Sequence, residues 1–512
     1  MKKTQRVESG TTQLERGFEI EGHAEAASPN RKTRLIWFRL SSILIGLLFF
    51  PLLELVCFVA DIGRPSTSDD PFVGFKGVRP LFTPSEDGSV WETSRARLGF
   101  FAPQSFSASK SADEFRIFVF GGSTVQGNPF QPETSFTTFL EQALNVASPS
   151  RRWRVINCGG ISYASYRLVP VMQECFQYEP DLYIFCEGHN EFLEDITYSK
   201  VRESSDAVAD AYSSLSRFRP FRLLSTLLKS DSESPHQPLD PNDPVLPMEV
   251  DALLDHQGGL EHYHRDDRHA EDVVRHFRVN IERIADICSD ADVPLLILKP
   301  PCNLSDCPPF KSEYSAGISP EQQAALTSLL DEASVSLATN PEASANLLKQ
   351  AVQLDERFAF SWYHLGHALL ACHRADEAQT AFIRARDEDV CPLRMTSALE
   401  RALDDAVKSK ELDLIDTAEL LQQSSTSPIL GDGLLLDHIH PSFEGHQLIA
   451  MRIVDWMSSN SLADLQNRQW RSESERQFRE HVGSLDDIYF LRGRRALRDL
   501  QGWAAGRATK PK

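Results

Sequence analysis

Ser123, Asn190, Asp437 and His440 are the residues of this chain whose types could together break an acyl bond. Acyl transfer by a serine needs a base within hydrogen-bond reach of the hydroxyl, an acid to orient that base, and N–H donors aimed at the developing oxyanion. Each candidate stands in a polar stretch directly after an apolar one. Ser123 lies in FRIFVFGGSTVQG, Phe115 to Gly127, where a short aromatic and β-branched run ends in Gly121-Gly122. NCGGIS, Asn157 to Ser162, follows a second apolar run, and Gly188-His189-Asn190-Glu191 follows a third, DLYIFC. His440 comes three residues after Asp437 in DHIHP, so one short loop presents an imidazole together with a carboxylate. Gly-Gly-Ser and His-Pro are also ordinary turn chemistry, and His438 and His446 compete with His440 for the role of base.

The elements that must position these residues follow from the hydrophobic pattern. Short apolar runs predict strands at 115–120, 153–157, 181–186, 293–298 and 411–416, and helical spacing predicts helices at 135–147, 166–176 and 444–457. Strands alternating with helices imply an α/β fold with a parallel sheet covered on both faces. In such a sheet ligands bind outside the carboxyl ends of the strands, so the three polar loops that follow the first three strands converge in space.

The ordered set GGSTV, NCGGISY, GHNE and DHIHP resembles the four blocks of the SGNH (GDSL-like) hydrolase superfamily. This is a flavodoxin-like three-layer fold of esterases, lipases and carbohydrate acetylesterases. One block alone is weak evidence; four in order, each after its strand, are strong together. The resemblance covers roughly residues 113–200, 290–315 and 410–458. It implies Ser123 as nucleophile, with its own backbone N–H as one oxyanion donor. A second backbone donor falls on Gly160 or, by the closer alignment, on Ser162. Asn190 would add its side-chain amide, and His440 would be the general base oriented by Asp437. Neither a metal nor an organic cofactor is implied. The family's usual Asp before the serine is replaced here by Gly122. The implied activity is a serine esterase acting on an acyl ester, an O-acetyl group of a carbohydrate being the leading substrate. Related membrane-tethered domains imply a second activity, a polysaccharide O-acyltransferase using the same triad.

The remaining chain frames that reading. Against 53 Lys+Arg stand 73 Asp+Glu, a net charge of −20, which disfavours nucleic acid as a partner because phosphate binding wants a basic face. The nine cysteines match no zinc or disulfide framework; Cys302 and Cys307 alone are near enough in sequence to bridge in an oxidising compartment. Residues 1–40 read as a polar cytoplasmic tail, its first thirty residues disordered. Ser41 to Ala60 is an apolar run whose length, about 20 residues at 1.5 Å each, matches a bilayer core of roughly 30 Å. Pro51 is tolerable in such a span, whereas Glu54 is costly away from the interface. A cleaved signal peptide is the rival, but Phe58-Val59-Ala60 lacks the small-x-small pattern, so an uncleaved anchor is expected. Arg31, Lys32, Arg34 and Arg39 crowd its amino-terminal flank, which places the amino terminus in the cytoplasm and the rest across the membrane.

Residues 61–112 read as an irregular linker, followed by the first part of the α/β domain at 113–320. Within it, 194–270 reads as an insertion with an exposed centre at 230–247, and its histidine-bearing tract at 258–269 as a solvated loop rather than a metal site. In 321–392, Trp362, Leu365, Gly366, Ala378, Phe382 and Ala385 resemble a tetratricopeptide repeat, and Leu347 to Phe358 a degenerate second copy. Such helices could recruit a protein partner, and a non-catalytic scaffold is the third reading of the chain. The α/β domain resumes at 393–460, and 461–512 reads as a charged helical region.

Overall fold

Alternation along FRIFVF decides the architecture. In a strand successive side chains point to opposite faces, so Phe118 and Phe120 go one way while Ile117 and Val119 go the other. All four are fully buried. A strand with two buried faces needs a layer on each side, and the chain supplies both.

The computed structural model describes residues 31–60, 70, 72–75, 77, 79–196, 198, 218–221, 223, 224 and 245–504. Residues 1–30 and most of 230–247, read above as a tail and an exposed loop, fall outside them. The chain divides into two units, Met1–Ile62 and Gly63–Lys512. In the first, helix α1 runs over Arg31–Val59 with Pro51 inside it. Among the described residues no helix is long and apolar enough to cross a membrane.

The second unit is built on five parallel strands: β1 Glu114–Gly121, β2 Arg152–Gly159, β3 Leu182–Cys186, β4 Leu295–Lys299 and β5 Asp413–Asp416. Their spatial order is β5-β4-β3-β1-β2, the doubly wound flavodoxin-like order 2-1-3-4-5. The order reverses beside β1, which pairs with β2 from Glu114 to Gly121 and with β3 from Ile117 to Gly121. Crevices form at that switch point, and Ser123 emerges there.

Helices follow the strands. A four-residue turn, α2, covers Ser123–Gln126, and α3 covers Phe136–Ala147, capped by the Ser135 hydroxyl accepting the Thr137 amide. Helix α4 is Ser165–Cys175 and α5 is Asp267–Asp290. Between β4 and β5 lie α6 Pro320–Ser336, α7 Pro341–Leu354, α8 Ala359–Ala371, α9 Ala375–Asp387 and α10 Ser397–Ser409. After β5 come α11 Thr417–Ser424, α12 Phe443–Ser459, α13 Trp470–Ser484 and α14 Asp487–Ala504.

Phe118, Phe120, Ile156, Tyr183 and Ile297 pack against α4, α5 and α10 on one face. Ile117, Val119, Ile184, Leu296 and Ile415 pack against α3, α11, α12 and α13 on the other. Burying a side chain of this size stabilises by about 1.5–3 kcal/mol each, and both β1 and β3 are buried along their whole length.

Helices α6 to α9 form a separate small core, each packed on the next. Gly366 makes the closest approach: a Cβ there would lie 2.7–2.8 Å from three ring carbons of Phe382. Ser319 and Gln322 start this segment with a reciprocal capping box.

The stretch read as an irregular linker is more ordered than its composition suggested. Phe82–Pro84, Val90–Thr93 and Ser105–Ser107 make a three-stranded antiparallel sheet. Phe82, Trp91 and Phe106 pack their rings on Tyr178. Strands of three or four residues are too short to show a period, so aromatic contacts rather than pattern hold them.

Candidate active site

Ser123 is the first residue after the extended Gly122 that caps α2, so the strand-to-helix turn lifts its hydroxyl out of the sheet. Its Oγ lies 2.7 Å from His440 Nε2. On the other side of the ring, His440 Nδ1 is 2.7 Å from Asp437 Oδ2 and 2.9 Å from Oδ1. Asp437 Oδ1 also accepts the backbone amides of Ile439 and His440, both at 2.9 Å. Those two bonds fold DHIHP into a tight turn, so the orienting acid and the ring it orients move as one body. The turn is fixed from outside by Asn303, whose Nδ2 donates to the Asp437 carbonyl at 3.2 Å and whose amide donates to the His438 carbonyl at 2.9 Å.

Burial works against charge on Asp437, yet His440, then His438, and the hydrogen bond from His440 hold its carboxyl well below the usual carboxylate range. An ionised carboxylate only accepts, so Nδ1 carries the hydrogen of the His440–Asp437 bond. Nε2 is thereby left as the acceptor for the Ser123 hydroxyl. Ser123, Asp437 and His440 thus form one hydrogen-bonded chain.

Neither competing histidine reaches the serine: His438 lies beside the pair, its Nδ1 3.5 Å from Asp437 Oδ1, and His446 is bonded elsewhere. His446 Nδ1 accepts the Phe136 amide at 3.2 Å, and burial pushes its pKa down to about 3. Burial pushes His438 down to about 4, with its ring edge-on to Phe310. Both are neutral core groups tying loops together.

The expected donors divide. Gly160 does not serve: its N–H donates to the Gly121 carbonyl at 2.9 Å, a backbone bond between the ends of β1 and β2 that no sequence motif reveals. Ser162 adopts φ 61°, the left-handed region that a serine enters only at a cost of about 1–2 kcal/mol. That conformation suits the position at which the closer alignment sets a family glycine. Among the described residues no hydrogen bond engages the N–H of Ser162 or of Ser123. Asn190 Nδ2 donates to the Tyr163 carbonyl at 3.0 Å, which leaves its second hydrogen unspent. A Cβ on Gly122 would collide with that same nitrogen, so Asn190 Nδ2 sits between the serine turn and the Ser162–Tyr163 turn. The N–H groups of Ser123 and Ser162 and the second hydrogen of Asn190 Nδ2 are thus uncommitted among the described residues.

Two residues of the site went unread in the sequence. Glu187 is buried beneath the Asn190 loop; its Oε1 accepts the amides of His189 and Asn190 at 3.0 and 3.1 Å. Burial pushes its carboxyl up to about 7, against the pull of the amides of Gly188, Asn190, His189 and Gly122. His189 takes the Met395 amide on Nδ1 at 3.0 Å, and its Nε2 lies 3.2 Å from the Pro301 carbonyl. The ring is therefore a neutral bridge from this loop to the chain after β4, and burial pushes it down to about 3. The available signal was a charged residue set between the apolar LYIFC and Gly188.

Cys302 and Cys307 are free thiols, not a disulfide. Among the described residues no cluster of His, Cys, Asp or Glu could hold a metal ion. A cleft of about 880 Å³ opens between α5, Arg357, Arg384 and the start of α10; Ser123, Asn190 and His440 do not line it.

No family model matches the sequence, and no curated protein does. Solved structures similar to this chain include a lipase/acylhydrolase from Enterococcus faecalis, at 13% identity over 69% of this chain and 99% of that one, with a TM-score of 0.30. A GDSL-like lipase from Parabacteroides merdae matches at 10% identity over 69% and 99% of the two chains, TM-score 0.32. An acetylxylan esterase from Geobacillus stearothermophilus matches at 9% identity over 67% and 93%, TM-score 0.29.

Proposed function

We infer that this chain is a serine ester hydrolase of the SGNH kind. The observation that carries the reading is the continuous hydrogen-bonded path from Ser123 Oγ through both nitrogens of His440 to the Asp437 carboxylate. As Ser123 Oγ bonds to the acyl carbon, its proton passes to His440 Nε2, and the imidazolium is stabilised by Asp437. The carbonyl oxygen takes up negative charge facing the N–H groups of Ser123 and Ser162 and the Asn190 amide. Collapse breaks the ester C–O bond, and the departing alkoxide takes the proton from Nε2. Water then attacks the acyl-enzyme, giving its own proton to Nε2, and the acid leaves as Oγ recovers a hydrogen. None of these steps calls on a metal or organic cofactor.

The substrate class, an O-acyl ester of a carbohydrate, is taken from the resemblance of the four sequence blocks. If a sugar hydroxyl rather than water accepts the acyl group, the same residues perform acyl transfer. The membrane anchor, and with it a catalytic unit outside the cytoplasm, rests on the sequence of Ser41 to Ala60 and its basic flank. Helices α6 to α9 are read as tetratricopeptide-like hairpins open to a protein partner, supported by the Gly366–Phe382 contact.

A fluorophosphonate should label wild-type protein at Ser123, located by mass spectrometry of the adducted peptide. Ser123→Ala should lose both the label and turnover of p-nitrophenyl acetate by orders of magnitude; unchanged hydrolysis by that variant would overturn the assignment.

A further inference from the structure

Glu187 has no part in the chemistry just described, yet it sits where the two halves of the site meet. It follows β3 directly and is 3% exposed. Its two oxygens are divided between two loops. Oε1 takes the amides of His189 and Asn190, at 3.0 and 3.1 Å. Oε2 lies against Gly122, the residue before the nucleophile: a Cβ added to Gly122 would collide with both Glu187 Oε2 and Asn190 Nδ2. Gly122, Glu187 and Asn190 are thus in mutual contact, and residue 122 is glycine because the carboxylate of another loop already fills the space of its side chain.

Both hydrogen bonds that this carboxylate takes from the described residues come from backbone N–H groups, and both end on Oε1. An N–H can only donate, so Oε1 must stay an acceptor, while Oε2 packs against Gly122. Keeping a carboxylate buried is costly unless its contacts are worth having. What these contacts do is geometric. They brace the turn that aims Ser123 Oγ against the loop that aims Asn190 Nδ2.

We propose that Glu187 is a positioning residue, which sets the separation between the nucleophile and the Asn190 oxyanion donor by holding the Asn190 loop on Oε1 while Oε2 packs against Gly122. This rests on the hydrolase reading above. It makes no contact with substrate and moves no proton. Its effect appears in the transition state, when the oxyanion reaches its donors, and not in ground-state binding.

The test is a double-mutant cycle with p-nitrophenyl acetate at pH 8, rates being counted per fluorophosphonate-reactive site. In Glu187→Gln one oxygen becomes a bulkier NH2, which either faces the His189 and Asn190 amides or presses its hydrogens on Gly122, so the brace is disturbed in both rotamers. We expect kcat to fall on the order of 10²-fold, the scale of losing one oxyanion donor, with KM within about twofold of wild type. Asn190→Ala should fall similarly. In the Asn190→Ala background Glu187→Gln should cost less than about threefold more, because the residue it positions is gone. Glu187→Asp, one methylene shorter but still charged, takes the same place in the cycle should the glutamine variant not fold, and the same coupling is expected. A merely structural carboxylate would give independent, multiplicative losses or a lower count of reactive sites at unchanged kcat; either result overturns the proposal. So does a Glu187→Gln enzyme that turns over like wild type. If wild type itself proves no faster than Ser123→Ala, it is the hydrolase reading that falls, and this inference with it.

Discussion

Replacing Asp437 by Asn leaves the shape of the turn almost unchanged and reverses one hydrogen bond. Oδ1 of Asp437 accepts two backbone amides at 2.9 Å, so an Asn at this position keeps its carbonyl oxygen there. The NH2 then occupies the Oδ2 position, 2.7 Å from His440 Nδ1, where it can only donate. The retained carbonyl oxygen is 2.9 Å from Nδ1, but the NH2 is nearer and would press a hydrogen on it, which favours Nδ1 as acceptor and moves the ring hydrogen to Nε2, facing Ser123 Oγ at 2.7 Å. In that tautomer the ring cannot take the serine proton. The opposite rotamer keeps the tautomer but sets an NH2 against two buried backbone N–H groups, each left unsatisfied at about 1–3 kcal/mol. The first route disables the base while the fold persists, and the second is held back by that cost. The expected loss in kcat/KM is about 10³- to 10⁴-fold, or about 4–5.5 kcal/mol at 1.36 kcal/mol per decade. Initial rates with p-nitrophenyl acetate, with circular dichroism and thermal melting to show an intact fold, measure it. A loss under tenfold would refute the view that Asp437 sets the tautomer of His440.

Two further outcomes concern stability. Glu191 accepts the amide and hydroxyl of Ser165, both at 2.9 Å, and burial, then the charge of Glu187, push its carboxyl from 4.5 up to about 8. Between those values the folded chain holds a proton that the unfolded chain releases, so this group costs stability as pH rises through that window and costs nothing below it. Urea unfolding should therefore show wild type losing more stability than Glu191→Gln from pH 5 to 8, by on the order of 3 kcal/mol; parallel losses would contradict the buried neutral carboxyl. In Gly366→Ala the new methyl meets the buried ring of Phe382 at 2.7–2.8 Å, which outweighs the gain in helix propensity of about 1 kcal/mol. Thermal melting should show a net loss of about 1–2 kcal/mol with turnover per reactive site unchanged; a stabilised variant would mean that α8 and α9 do not need this close approach.

Much of this was legible because it depends on local pattern. The five strands are short apolar runs bounded by turns, and the observed strands lie within about two residues of the expected limits, since a buried strand shows itself by composition. Ser123 and Asn190 were legible as polar residues after strand runs and Asp437 and His440 as a closely spaced pair in a loop; Ser123, His440 and Asp437 are joined by hydrogen bonds and Asn190 lies beside Gly122. What escaped was whatever depends on pairs distant in sequence. The amide of Gly160 looks free until β1 and β2 are aligned and Gly121 is found to hold it. Glu187 reads as the first polar residue of a loop, and only the closeness of Gly122 shows it to be enclosed. The small sheet of 82–107 has strands below the length at which alternation can be recognised.

The placing of α6 to α9 between β4 and β5 has a consequence during synthesis. A growing chain acquires its serine at residue 123 and its amide at 190, but the ring that hydrogen-bonds the serine only at 440, after the whole helical segment has been made. Until then β4 lacks its outer neighbour, because residues 413–416 that pair with 296–299 do not yet exist. Helices α6 to α9 contact chiefly their neighbours in sequence, so they can form in that interval. Any product stopped short of residue 440 carries the serine but not the ring beside it, and the hydrogen-bonded chain of Ser123, His440 and Asp437 is complete only when the carboxyl-terminal part of the fold closes.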